Sequence, residues 1–367
     1  LLISGYLKLS FGLVRSTFKV RFTITHPMGS DKAKEASYDL EIDRLVREVA
    51  SRKARKVAVQ LPDGLKPYGV EVARRVEEET GATVFVSAES CYGGCDLAVE
   101  EAKHLDADLL VHYGHTAYLH TLGMPVIYLE ARSTQSLEEL AGRAGQLLSG
   151  SGKIGVATTV QHLHELNTFR RMLEAEFGLM VVIASRKGFC RYDGQVIGCD
   201  YSGLKAIEGQ VDSFLIVGSF FHGVGAALAL RKPVYMADPY SNQVQGLEEH
   251  KNRILRRRYG FIVKAEKSRE FGVLVGLKEG QRNLTEALRL RELLRDAGRG
   301  VTMLFAREVT AELLDNFQSI EVFVDTACPR VALDDPERFR KPILTPGEVD
   351  VALGKLSWEG LLEKGLL

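Results

Sequence analysis

Residues 94–129 read Gly94-Cys95-Asp96, then a helical stretch, then the apolar run Leu109–Gly114, a polar loop, and Met124-Pro125-Val126-Ile127-Tyr128-Leu129. The same order returns further along. Gly198-Cys199-Asp200 precedes a helical stretch, the run Phe214–Gly218, a polar loop, and Lys232-Pro233-Val234-Tyr235-Met236-Ala237. A third unit echoes it weakly through Lys341-Pro342-Ile343-Leu344. Short apolar runs alternating with amphipathic helical stretches indicate α/β architecture with mainly parallel sheets, because parallel neighbours need a long crossover that is usually a helix.

Working outward, the pattern predicts three similar domains with small, mainly parallel sheets flanked by helices in a pseudo-threefold arrangement. The first spans 38–150 and carries Cys95; its strands are Val57–Leu61, Thr83–Ala88, Leu109–Gly114 and Val126–Leu129, with helices over Asp39–Ser51 and Gly69–Thr80. The second spans 151–265 and carries Cys199, with strands Ile154–Thr158, Met180–Ser185, Phe214–Gly218 and Val234–Ala237. The third spans 266–367 and carries Cys328, with strands Gly272–Leu277, Val301–Ala306, Val322–Asp325 and Ile343–Leu344 and a helix over Leu284–Ala297. Its cysteine follows the third strand, where the other two follow the second. Residues 1–37 read as a leader or disordered extension. The first 27 hold Lys8, Arg15, Lys19 and Arg21 and no acid, and Met28-Gly29-Ser30 reads as a start.

Lysine plus arginine and aspartate plus glutamate both number 48, so no overall positive field draws the chain to nucleic acid. Arg253–Arg258 holds four arginines, read as a solvated helix face rather than a basic patch. Five cysteines, an odd number without a secretory pattern, argue for a reducing compartment and a cytoplasmic location. No apolar run reaches about 18 residues, so no membrane span is expected.

Cys95, Cys199 and Cys328 all fall in loops at strand ends, where open α/β sheets bind ligands. Three thiolates brought to one centre hold a 4Fe–4S cluster with one iron left open. The alternatives are buried free cysteines and zinc, the latter without paired C-x2-C spacing. Cys91 and Cys95 form C-x3-C, but position 98 is alanine, so a C-x3-C-x2-C loop is absent; Cys91 and Cys190 are read as spectators. His162-x-His164-Glu165 reads as a polar helix start, and His115 and His222 each follow a strand as pocket candidates. Two loops suit a small polar ligand: Gln60-Leu61-Pro62-Asp63-Gly64-Leu65 after the first strand, and the glycine-rich Gly218–Gly225, which opens a helix.

Gln60–Leu65, Tyr92-Gly93-Gly94-Cys95-Asp96, Tyr113-Gly114-His115-Thr116, Gly198-Cys199-Asp200, Ala237-Asp238-Pro239-Tyr240 and Asp325-Thr326-Ala327-Cys328-Pro329-Arg330 together resemble the archaeal diphthamide synthase family, 2-(3-amino-3-carboxypropyl)histidine synthase, over about Tyr38 to Leu353. The resemblance implies a homodimer, one cluster cysteine from each domain (Cys95, Cys199 and Cys328), and the first step of diphthamide biosynthesis. In that step a 4Fe–4S cluster reductively cleaves S-adenosylmethionine, a noncanonical radical SAM reaction. A 3-amino-3-carboxypropyl radical passes to the imidazole carbon of a histidine of translation elongation factor 2, and methylthioadenosine leaves. The electron donor is unidentified. For S-adenosylmethionine the candidates are Arg330, whose planar guanidinium suits a carboxylate, and Gln60, Asp63, Gly64, His115 and Ser219. Two rivals share parts of the pattern: a quinolinate synthase-like cluster enzyme, and a non-catalytic electron-transfer subunit.

Overall fold

A computed structural model of the chain describes residues 38–119, 123–334 and 338–367. The leader at 1–37 lies outside the described residues. Three sheets carry the fold. The first contains Lys56–Gln60, Thr83–Val86, Leu109–Tyr113 and Val126–Leu129, all parallel. The second contains Lys153–Thr158, Met180–Ile183, Ser213–Val217 and Val234–Asp238 in parallel, with Gln243–Gly246 added antiparallel at one edge. The third contains Glu270–Gly276, Gly300–Ala306, Val322–Asp325 and Ile343–Leu344 in parallel.

In chain order, every sheet runs second-first-third-fourth. The first strand of each therefore lies between the second and the third. A loop leaving either neighbour emerges beside the same central strand end. This explains how a cysteine after the third strand of one sheet can join cysteines that follow second strands in the others.

The strand runs read from the sequence are recovered to within two residues at nearly every end, because central parallel strands are covered on both faces and are apolar throughout. Val57, Val59, Leu110, Val111, Ile154, Val156, Leu215 and Ile216 are all buried. One helix start differs. The helix expected from Asp39 begins at Ile42. Tyr38 and Asp39 instead pair antiparallel with Ser133 and Arg132, and Glu41 turns the chain with a φ of 50°.

The cores cross the segment limits read from the sequence. Leu140, Ala141 and Ala144 of helix Glu138–Leu147 pack with Ile154, Val156 and Phe169 beneath the second sheet. Ile262 and Ala265 of helix Glu248–Lys267 join the core of the third sheet. The carboxyl-terminal Leu361 and Leu366 pack on Val224 and Leu228.

The long helix corrects another expectation. Of the four arginines at 253–258, Arg258 is fully buried rather than on a solvated face. Its Nε donates to Glu348 Oε1 at 2.7 Å, and its terminal nitrogens donate to the carbonyls of Ala332 and Ile343, each at 2.7 Å. Glu348 also accepts from the Thr345 amide at 2.7 Å, in a capping box. The pair thus clamps the helix after Cys328 to the last strand of the third sheet. A buried ion pair adds little over an apolar substitute, but removing one partner strands the other. Arg258→Met is expected to lower stability by about 3–5 kcal/mol, read as a reduced urea midpoint. The double variant Arg258→Met/Glu348→Leu should recover part of that loss.

Candidate metal centre

Cys95 lies between Thr83–Val86 and helix Val99–His104, Cys199 between Met180–Ile183 and helix Ser202–Ile207, and Cys328 immediately before helix Pro329–Asp334. All three are half-buried free thiols. Three joints knit their loops together. The Gly280 amide of the third sheet donates to the Cys95 carbonyl at 3.0 Å. Arg330, two residues after Cys328, donates to the carbonyls of Gly198 at 3.0 Å and Phe221 at 2.7 Å and lies 3.8 Å from the Phe221 ring centre. Gln195, ahead of Cys199, donates to Thr116 Oγ1 at 3.0 Å. Thr116 in turn faces Gly94, where a Cβ would lie 2.7 Å from the Thr116 carbonyl oxygen.

The electrostatics report the same convergence. Burial first, then Cys95 and Cys328, pushes the Cys199 thiol up to about 12. Burial, opposed by the Arg330 amide and reinforced by Asp325 and Cys95, pushes Cys328 up to about 12. Burial likewise raises Cys95. Tyr118 faces the group, and its phenol is raised by burial and then by Cys199, Cys95 and Cys328. Its ring stacks on Phe189, centroids 4.2 Å apart. Thiols crowded and desolvated in this way stay protonated unless a cation compensates them, and a coordinating metal deprotonates a thiol outright. Three soft sulfurs from three loops, none in a disulfide, fit a sulfur-bound iron group with one position left for another ligand.

Cys91 and Cys190 are buried. Cys91 lies with His112 and His115, their ligand atoms within 4.8 Å of one another. The facing nitrogens of the two histidines, Nε2 of His112 and Nδ1 of His115, are already hydrogen-bonded at 3.0 Å.

Gln60 is buried and wholly engaged inward. Its Nε2 donates to the Asp96 carbonyl at 2.8 Å, and its Oε1 accepts from the Ala98 amide at 3.1 Å. Those backbone partners fix the amide's orientation, so His112 Nδ1, 2.9 Å from Oε1, must carry a proton. Burial holds His112 well below the usual histidine range, and it lowers His115 to about 4. Both rings are therefore neutral. His112 Nε2 accepts from His115 Nδ1, and His115 also hydrogen-bonds to the Tyr113 backbone. His115 also lines a cleft of about 360 Å³ with Thr116, Tyr128, Glu130, Arg132 and Arg191.

The remaining predicted residues divide. Asp63 is exposed and ion-paired with Lys66 at 2.6 Å. A Cβ on Gly64 would meet open space. Ser219 Oγ lies 3.0 Å from His222 Nδ1. Arg330 is buried, joined to two carbonyls and to Asp334, and works as a joint between loops. Sequence reasoning missed Lys278 and Gln281. Lys278 Nζ donates to Asp96 Oδ2 at 2.8 Å, and Gln281 Nε2 donates to Cys95 Sγ at 3.6 Å. The signal was available, since both follow the first strand of the third sheet at its carboxyl end.

Fold and site together define an α/β protein that gathers one cysteine from each of three sheets. The family model for diphthamide synthesis proteins matches residues 61–362, and the chain belongs to that family. It is 37% identical over 319 residues to 2-(3-amino-3-carboxypropyl)histidine synthase of Pyrococcus horikoshii, covering 86% of this chain and 91% of that one. It is 27% identical to subunit 1 of the Homo sapiens enzyme of the same name, covering 88% and 74%. Among solved structures, Dph2 from Pyrococcus horikoshii with a 4Fe–4S cluster superposes with a TM-score of 0.79 at 36% identity, over 87% of this chain and 92% of that one.

His162 gives a pH test away from the thiols. It is fully buried with neither ring nitrogen hydrogen-bonded to a described residue, and burial lowers it to about 4. An unfolded histidine takes its proton near pH 6.5, so the unfolded state binds more protons between there and 4, and stability falls as pH drops through that window. From pH 7 to pH 5 this one residue is expected to remove about 2 kcal/mol. Urea unfolding of His162→Leu at both pH values should show that much less acid sensitivity than the unsubstituted protein.

Proposed function

We propose that the chain catalyses the first step of diphthamide biosynthesis, transferring the 3-amino-3-carboxypropyl group of S-adenosylmethionine to the imidazole carbon of a histidine of translation elongation factor 2, with methylthioadenosine as by-product. The observation that supports this reading is the set of joints that tie the loops of Cys95, Cys199 and Cys328 together, with Cys95 and Cys328 both raising the Cys199 thiol. The three sulfurs would hold a 4Fe–4S cluster. When bound, such a cluster supplies a single low-potential electron for reductive cleavage of a carbon–sulfur bond.

The chain's own residues supply positioning. The sulfonium of S-adenosylmethionine has three carbon–sulfur bonds, so the one that breaks is chosen by how the molecule is held. We assign S-adenosylmethionine to the strand-end mouth near Asp63, Gly64, His115 and Ser219, with Gln60 and Arg330 shaping it from behind through their buried hydrogen bonds. Tyr118, stacked on Phe189, borders the thiols. In this reading the enzyme acts as a homodimer and draws its electron from a separate donor. No helix of the described residues is long and apolar enough to cross a membrane.

Replacing Cys95, Cys199 or Cys328 by alanine is expected to abolish most iron uptake on anaerobic reconstitution, while Cys190→Ala keeps it. Unchanged iron in any of the three would remove that residue from the set. With dithionite and S-adenosylmethionine, the purified protein should release methylthioadenosine; 5′-deoxyadenosine as the main product would contradict the assigned cleavage.

A further inference from the structure

The three sulfurs are not held alike. Cys328 receives the backbone amides of Arg330 and Val331. Cys199 is eased by the charge of Arg330. Cys95 accepts from the side chain of Gln281 at 3.6 Å, the one side-chain hydrogen bond to any of the three sulfurs among the described residues. The segment that delivers it is tightly fixed. A Cβ on Gly280 would lie 2.5 Å from Cys95 Cα and 2.6 Å from its Cβ, so backbone atoms exclude every side chain there. The Gly280 amide donates to the Cys95 carbonyl at 3.0 Å. One residue from Cys95, Asp96 accepts from buried Lys278, whose ammonium also donates to Glu308 and lies 4.9 Å from the Tyr92 ring centre. The turn 278–281 thus grips Cys95 on both sides and aims one amide at its sulfur.

We propose that Gln281 is a positioning residue for the metal centre, donating to the Cys95 sulfur and thereby favouring the reduced state of the bound group. This rests on the reading of Cys95 as a cluster ligand. Reduction places more negative charge on the ligating sulfurs, and an N–H directed at sulfur stabilises that charge. Removing the donor makes reduction harder. Putting an acceptor in its place makes it harder still.

The test is a redox titration followed by electron paramagnetic resonance on the anaerobically reconstituted full chain, comparing Gln281→Leu and Gln281→Glu with the unsubstituted protein. Iron content and far-UV circular dichroism are expected to stay unchanged. At the unsubstituted protein's midpoint, the ratio of reduced to oxidised centre should fall roughly threefold to tenfold in Gln281→Leu, and further in Gln281→Glu. Coincident midpoints with iron intact, or a midpoint raised in Gln281→Leu, would overturn the proposal. Loss of iron from Gln281→Leu, with or without a change in circular dichroism, would also overturn it, because the residue would then serve retention of the centre or the fold rather than its redox state. Cys95→Ala run in parallel separates the two readings, since full iron there removes Cys95 as a ligand whatever the Gln281 variants do.

Discussion

The centre depends on Arg330 and the carbonyls it joins. Its guanidinium reaches from the turn after Cys328 to Gly198 and Phe221, so one side chain fixes the third cysteine loop against the second. The guanidinium is buried and its donors are charged, which makes these hydrogen bonds stronger than neutral ones. Asp334 and the Phe221 face complete the arginine's surroundings. A lysine could supply the charge but not the fork that meets two carbonyls at once. The same guanidinium is also the positive charge closest in effect to the Cys199 thiol. Assembly of the loops and electrostatic support of the sulfurs therefore meet in one residue.

Around that joint the protein does something costly. It desolvates three thiols, and Cys95 disfavours ionisation of both Cys199 and Cys328. Without a compensating group this is only crowding. With a cationic, sulfur-bound group it becomes the condition for tight binding, because the same low-polarity surroundings strengthen metal–thiolate attraction. Polar anchors hold two of these segments from behind: Gln60 on the backbone of Asp96 and Ala98, Lys278 on the Asp96 carboxylate, and Arg258 with Glu348 under Ala332. Lys278 comes from the third sheet and Arg330 from the turn after Cys328, so the Cys95 and Cys199 loops are each held in part from outside their own sheet.

Much of this was legible in the sequence, and what was not has a common cause. The strands could be read because buried parallel strands are continuous apolar runs, and the three cysteines stood out because each lies at a strand end. Periodicity does not report partners. Gln60 and Arg330, read from the sequence as ligand candidates, are buried, and their donors face inward to Asp96, Gly198 and Phe221, contacts made across 36, 132 and 109 residues. Arg258 looked solvated because its neighbours Arg256 and Arg257 are polar; its acceptors, Ala332, Ile343 and Glu348, belong to another element. Helix Glu138–Leu147 carries an apolar face that fits either adjoining sheet, and only packing beneath the second sheet decides between them.

The third unit's departure from the repeat follows from the strand order. With the first strand central, the loops after the second and third strands flank it on opposite sides. The loop after the first strand of the third sheet carries Lys278, Gly280 and Gln281 onto Cys95. Had Cys328 followed the second strand, the same sheet would still offer one cysteine, but it would approach from the other side of the central strand. The third sheet thus contributes a sulfur from one loop and a grip on a second sulfur from another.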